Sequence, residues 1–143
     1  TQGPTGGQWK TYYGTVSTSS KITGDNSLAM RRYSSDDNCG YTEMQFDVSG
    51  GPTKVQFNAK AATTNSASLL LTVEYSTDSG ESWSTVTGFS AKALTSSSKS
   101  YNFAVAGAPA KYRLRFSIDA TSTKPTKNNA QMTIDDIKIL KVD

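Results

Sequence analysis

Along most of this chain apolar residues recur at every second position, and that period leaves little choice of fold. In Lys111-Tyr112-Arg113-Leu114-Arg115-Phe116-Ser117-Ile118, the residues Tyr112, Leu114, Phe116 and Ile118 share one side, while Lys111, Arg113, Arg115 and Ser117 share the other. Successive side chains of a β-strand point to opposite faces, so this period marks a half-buried strand. The same alternation sets Thr42, Met44, Phe46 and Val48 against Tyr41, Glu43, Gln45 and Asp47. It sets Val55, Phe57 and Ala59 against Gln56, Asn58 and Lys60, and Leu69, Leu71, Val73 and Tyr75 against Leu70, Thr72, Glu74 and Ser76. Tyr101, Phe103 and Val105 repeat it, and no stretch carries a convincing helical period. One apolar and one polar face per strand is the pattern of antiparallel sheets wetted on one side.

Turn residues punctuate the strands at short intervals. Ser49-Gly50-Gly51-Pro52 and Asp78-Ser79-Gly80 join neighbouring pairs, and 121–129 reads as a longer loop. Roughly eight or nine short strands at this spacing predict an all-β fold, a two-sheet antiparallel β-sandwich of the jelly-roll kind. Its expected core contains Phe46, Phe57, Leu71, Val73, Leu114 and Phe116. At 143 residues, with no repeat or linker, the chain is expected to form one domain. No apolar run is long enough for a membrane span. The start Thr1-Gln2-Gly3-Pro4 lacks an initiator Met, and Ser and Thr are abundant. Both features suggest a module of a larger secreted or cell-surface protein.

The chemistry available is narrow. The chain has no His, which excludes His-based triads and His-ligated zinc, and its single cysteine, Cys39, has no imidazole to activate it. Glycoside hydrolysis needs two acids facing each other across a cleft. Asp36-Asp37 and Asp135-Asp136 are sequence neighbours, which a strand sends to opposite faces. No catalysis is expected. A net charge of +3 is too small to imply a nucleic-acid partner.

Two motifs stand out. Ser76-Thr77-Asp78-Ser79-Gly80-Glu81-Ser82-Trp83 follows the Asp-box pattern Ser-x-Asp-x-Gly-x-x-Trp. Asp accepts backbone N–H groups in the turn, Gly permits positive φ, and Trp folds back over the hairpin. The motif is read as structural, with Trp83 as a sugar platform the lesser alternative. In Thr133-Ile134-Asp135-Asp136-Ile137-Lys138-Ile139 the apolar parity slips by one residue, which predicts a β-bulge at the Asp pair. Two readings of Asp135 and Asp136 are open. They are hard oxygen ligands suited to calcium, or solvated acceptors for a neighbouring loop.

Gly24-Asp25-Asn26-Ser27-Leu28-Ala29-Met30-Arg31-Arg32 near the start, with Ile134-Asp135-Asp136-Ile137 near the end, forms a recognisable pairing. In order and spacing the chain resembles galactose-binding-like jelly-roll modules, including the xylan- and glucan-binding modules of secreted polysaccharidases. It is similar also to jelly-roll domains of Bacteroidetes extracellular proteins, whose Gly-x-Trp opening matches Gly7-Gln8-Trp9. The resemblance implies a structural calcium held by Asp135 or Asp136 with an N-terminal loop, where Asp25 is the candidate. It also implies a glycan-binding Arg after the Ser-Leu strand, matched by Arg31 or Arg32. Asn38-Cys39-Gly40 stands where xylan-binding relatives carry Trp-x-Gly, so the aromatic expected for xylan is missing.

The polar sides of the strands offer a site independent of that resemblance. Gln56, Asn58, Lys60, Glu74, Arg113 and Arg115 all stand opposite core residues and are expected on strands that share or neighbour a sheet. Amides and guanidinium groups bind sugar hydroxyls and carboxylates through paired hydrogen bonds. Of the aromatic candidates Tyr12, Tyr13, Tyr33 and Tyr41, Tyr33 and Tyr41 have the outward parity needed at the rim, and the Arg pair points to an acidic glycan and salt-sensitive binding. The alternative is an ordinary solvated face. The leading reading is therefore a non-catalytic carbohydrate-binding module for a polysaccharide. The second is an adhesion, protein-interaction or spacer domain.

Overall fold

The computed structural model describes residues 8–17, 27–62 and 65–141, and among them the secondary structure is all β. The strands are β1 (Trp9–Tyr12), β2 (Gly14–Ser17), β3 (Ser27–Tyr33), β4 (Tyr41–Met44), β5 (Lys54–Ala61) and β6 (Leu70–Ser76). They continue with β7 (Ser84–Thr85), β8 (Lys92–Ala93), β9 (Lys99–Ala104), β10 (Arg113–Ile118) and β11 (Asn129–Leu140). Two antiparallel sheets result. The six-stranded sheet runs β1-β4-β10-β6-β7, with β8 also on β6, and the five-stranded sheet runs β2-β3-β11-β5-β9.

The inner faces of both sheets meet in one core. Phe57, Leu71, Val73, Leu114 and Phe116 are all at most 1% exposed, as their alternation requires. Phe57 of one sheet meets Phe116 of the other edge to face at 5.2 Å, locking the layers together. Burying a side chain of this size contributes roughly 1.5–3 kcal/mol. Phe46 departs from expectation. It lies past the end of β4, beyond the ladder, and is only half-buried against the edge of Trp9 at 6.4 Å.

Three backbone features set the path between layers. Tyr13, at φ 48°, is the single residue between β1 of one sheet and β2 of the other. Gly50 and Gly51, at φ 89° and 70°, carry the chain from the six-stranded sheet to β5, so this turn joins the layers. Gly40 ties one edge together: its N–H donates to Arg31 O (3.0 Å), and its carbonyl accepts from Ile118 N (2.9 Å). The bulge expected in β11 is present. Pairing with β5 shifts between Asp135 and Lys138, and Asp136 is left-handed at φ 50°. The shift lets Ile137 and Ile139 pack on the same core as Met132 and Ile134, despite opposite parity in sequence.

Candidate functional site

The ladder register arranges the outer face of the six-stranded sheet in rows. One row runs Lys10, Glu43, Arg115 and Glu74 across β1, β4, β10 and β6. The next runs Tyr12, Tyr41, Ser117 and Thr72. Arg115 sits between two carboxylates: Nε donates to Glu74 Oε1 at 3.1 Å, and Nη1 lies 4.0 Å from Glu43 Oε2. Its guanidinium also lies 4.3 Å from the centre of the Trp83 ring, a cation–π contact. Arg113, one step along the strand, donates from Nε to Asp47 Oδ1 at 2.8 Å. Ser79 donates to the other Asp47 oxygen. Against the cost of desolvation, the bonds from Ser79 and Arg113 hold the Asp47 carboxyl below its ordinary range.

The Asp-box hairpin holds Trp83 over this face. Ser76 Oγ donates to Asp78 Oδ1 (2.7 Å) and accepts from Gly80 N (2.9 Å), while Ser82 N donates to Asp78 Oδ1 (2.9 Å). A short bond from Ser82 Oγ completes the ring of donors. The hydroxyls of Ser82 and Ser76, then the Ser82 amide, lower the Asp78 carboxyl to about 2. Gly80 is left-handed at φ 87°, and a Cβ there would lie 3.6 Å from the Trp83 ring. The turn chemistry read from the sequence is thus present, and Trp83 folds back as expected. Its seat on Arg115 was not foreseen, because alternation gives no distance between strand and turn.

At the opposite margin of the face is a tyrosine cluster. Tyr12 stacks on Tyr41 (5.5 Å) and on Tyr13 (4.5 Å), and Tyr13 meets Tyr33 edge to face at 5.0 Å. The Tyr13 hydroxyl donates to Asp36 Oδ2 at 2.8 Å. That bond pushes the phenol up to about 12. Tyr41 and Tyr33 are both half-buried, but they belong to different sheets and are linked only through Tyr12 and Tyr13.

The polar residues expected on shared or neighbouring strands divide between the two layers. Glu74, Arg113 and Arg115 lie on β6 and β10 of the six-stranded sheet, whereas Gln56, Asn58 and Lys60 lie on β5 of the other. Because all six point away from the core, the two groups look out from opposite sides of the sandwich. Parity separates inside from outside but does not say to which sheet a strand belongs. Arg31 and Tyr33 are on the outer side of the five-stranded sheet, beside Gln131 and Asn129. Ala29 and Thr133, at the middle of that side, are 1% and 2% exposed, so its centre is closed.

Arg32 is corrected outright as a glycan contact. It is 6% exposed and points inward, where Nη1 donates to Ser122 O (2.8 Å) and Ala120 O (3.3 Å). It shares parity with Leu28 and Met30, and its role is to anchor the loop before β11. Asp25 lies outside the described residues. At the bulge, Asp136 Oδ2 accepts from Asn58 Nδ2 (2.8 Å), and Asp135 Oδ1 accepts from Asp136 N (2.8 Å). Among the described residues no group of three or more acidic, His or Cys side chains is placed to hold a metal. Lys10, Glu43 and Asp47 complete the outer face of the six-stranded sheet beside Tyr12 and were not singled out for it. Glu43 and Asp47 alternate with Met44 and Phe46, so their parity carried the signal.

No protein-family model and no curated protein matches this chain. Solved structures do. The K2 adhesin domain of Lys-gingipain aligns with TM-score 0.64 at 16% identity, covering 99% of this chain and 93% of that one. A CBM61 module in complex with β-1,4-galactotriose gives 0.61 at 12%, covering 94% and 88%. The CBM22-1 xylan-binding domain from Paenibacillus barcinonensis gives 0.56 at 16%, covering 99% and 90%. At these identities the likeness is one of fold. The chain has the jelly-roll sandwich found in carbohydrate-binding modules and in adhesin domains.

Proposed function

We propose that this chain is a non-catalytic carbohydrate-binding module of a secreted or cell-surface protein, joined to other domains in its parent chain. In this reading it grips a polysaccharide on the outer face of the six-stranded sheet. The observation that carries the proposal is the flanking of the Glu43–Arg115–Glu74 row by Trp83 on one side and Tyr41 and Tyr12 on the other. A pyranose presents an apolar ring face and a rim of hydroxyls, so it needs aromatic surface beside fixed donors and acceptors. Neighbouring strands lie about 4.8 Å apart and alternate residues rise about 6–7 Å, a grid that matches successive sugars. Arg115 is already held by its carboxylates and by Trp83, so little side-chain entropy is lost on binding. Asp47, Glu43 and Glu74 offset the charge of Arg113 and Arg115, which shifts the expected ligand from an acidic glycan to a neutral one. The sandwich shared with modules whose names describe galactotriose and xylan binding supports the same reading.

Affinity electrophoresis through gels containing neutral and acidic polysaccharides tests it. Retardation by a neutral polysaccharide, reduced in Tyr41→Ala and Arg115→Ala, is the expected result. Retardation by none of them would move the balance to the second reading, an adhesion or spacer domain. The fold shared with the Lys-gingipain adhesin domain is compatible with that alternative. Calcium at the β11 bulge remains part of the proposal. Asp135 and Asp136 supply hard oxygens there, Asp135 at the last regular pair before the shift and Asp136 at the left-handed kink itself. A Tm raised by added calcium and lowered by EDTA supports the site, and an unmoved Tm removes it.

A further inference from the structure

A cavity of about 350 Å³ lies between the layers, where the β6–β7 edge of one sheet meets the end of β9 in the other, at the margin of the Glu43–Arg115–Glu74 row. Its volume falls in the range of small-ligand sites. Three aromatic residues line it, Tyr75, Phe103 and Tyr112, and Thr77 and Thr87 add exposed polar positions at its rim. Tyr75 and Tyr112 stack at 5.8 Å with planes 16° apart. Tyr112 is 2% exposed as a residue and forms part of the cavity wall. A phenol on a cavity wall can both donate to and accept from a ligand hydroxyl that takes the place of water there.

The lining fixes the class of ligand. It contains no charged side chain, so an ionic ligand would be desolvated without compensation. A purely apolar ligand would displace water from the Tyr112 phenol and offer it no partner. A neutral ring with one apolar face and several hydroxyls satisfies both demands. We propose that this inter-sheet cavity is a second carbohydrate site, which takes the terminal sugar of a neutral glycan. It is distinct from the sheet-face reading: the face would grip a chain along its length, whereas the cavity would take an end. Burial, reinforced by the neighbouring Tyr75, pushes the Tyr112 phenol up, so it stays a neutral donor across the working pH range.

The test is an NMR titration of the whole chain with glucose, galactose, mannose and xylose, with glucuronate and phenol as charged and apolar controls. Saturable shifts at Val86, Thr87 and Val105 are expected with at least one neutral sugar and with neither control. Tyr112→Phe removes only an oxygen from the core and is expected to weaken that sugar about five-fold. Thr87→Trp, at an exposed position on the rim, is expected to block binding without disturbing the fold. Arg115→Ala is expected to leave it unchanged. The proposal is overturned if no neutral sugar gives saturable shifts, if either control binds as tightly, or if Tyr112→Phe binds undiminished. Loss with Arg115→Ala but not with Tyr112→Phe overturns it too, by assigning the shifts to the sheet face. Retention in polysaccharide gels can survive any of these outcomes, so the two readings fail separately.

Discussion

A Cβ built at Gly40 would lie 2.8 Å from both the N and the O of Arg31 and 2.9 Å from Tyr13 O. All three are backbone atoms, so no side-chain rotation relieves the clash. Two strands from different sheets would have to part at the point where Gly40 bonds to both Arg31 and Ile118. Gly40→Ala is therefore expected to cost about 1–3 kcal/mol, read as a fall of several degrees in Tm with an unchanged β-type circular-dichroism spectrum. An unaltered Tm would mean that the strands yield more easily than their bonding implies. Nothing in the alternation marks Gly40, because the crowding comes from the way the chain folds back onto Arg31 of β3 and Tyr13, which parity does not report. Arg32 is the contrary case: it was legible. Leu28, Met30 and Arg32 alternate on the apolar side of β3, so parity alone puts Arg32 inside and Arg31 outside. The family resemblance, which leaves the choice between the two arginines open, hid that signal.

At the scale of single elements, local chemistry dominates and the sequence is most informative. The Asp-box hairpin and the β11 bulge both follow from residues within one turn of each other, and both are present. The hairpin also has a pH dependence that can be worked out. Asp78 sits at about 2 when folded, below its ordinary value of 3.8, because the Ser82 and Ser76 hydroxyls bond its charged form. A lowered carboxyl stabilises the fold above the unfolded value, and that contribution disappears as pH falls through about 2. On acidification from pH 4 to 2, the Trp83 indole resonance is expected to move toward its random-coil position before the core resonance of Trp9 does. In Asp78→Asn the Trp83 resonance is expected to be displaced already at pH 7, with little further change down to pH 2. Simultaneous movement of both indoles in the wild type would show that the hairpin does not loosen on its own.

For the whole molecule, the decisive quantity is which strands share a sheet, and that is set by contacts between distant segments. The strand orders β1-β4-β10-β6-β7 and β2-β3-β11-β5-β9 pair β10 with β6 and β5 with β11. No local pattern distinguishes this arrangement from one that places β5 beside β10, which is the arrangement a single polar face would need. The separation makes the two outer faces independent, and a pair of double variants can therefore tell them apart. Tyr41→Ala/Arg115→Ala strips the aromatic margin and the central cation of the six-stranded face. Asn58→Ala/Lys60→Ala strips the outward polar residues of β5 while leaving the other side intact. If the ligand lies across the Glu43–Arg115–Glu74 row, the first variant is expected to lose at least tenfold in affinity for a bound polysaccharide. The second is expected to stay within about two-fold of the wild type, since residues on opposite sides of a sandwich act additively. Because Arg113 and Arg115 are paired with Asp47, Glu43 and Glu74, raising the salt concentration is expected to change that affinity little. The reverse pattern, with binding lost only in Asn58→Ala/Lys60→Ala and weakening steeply with salt, would assign the glycan to the five-stranded face. It would also restore an acidic sugar as the better ligand, because Lys60 and Arg31 stand on that side.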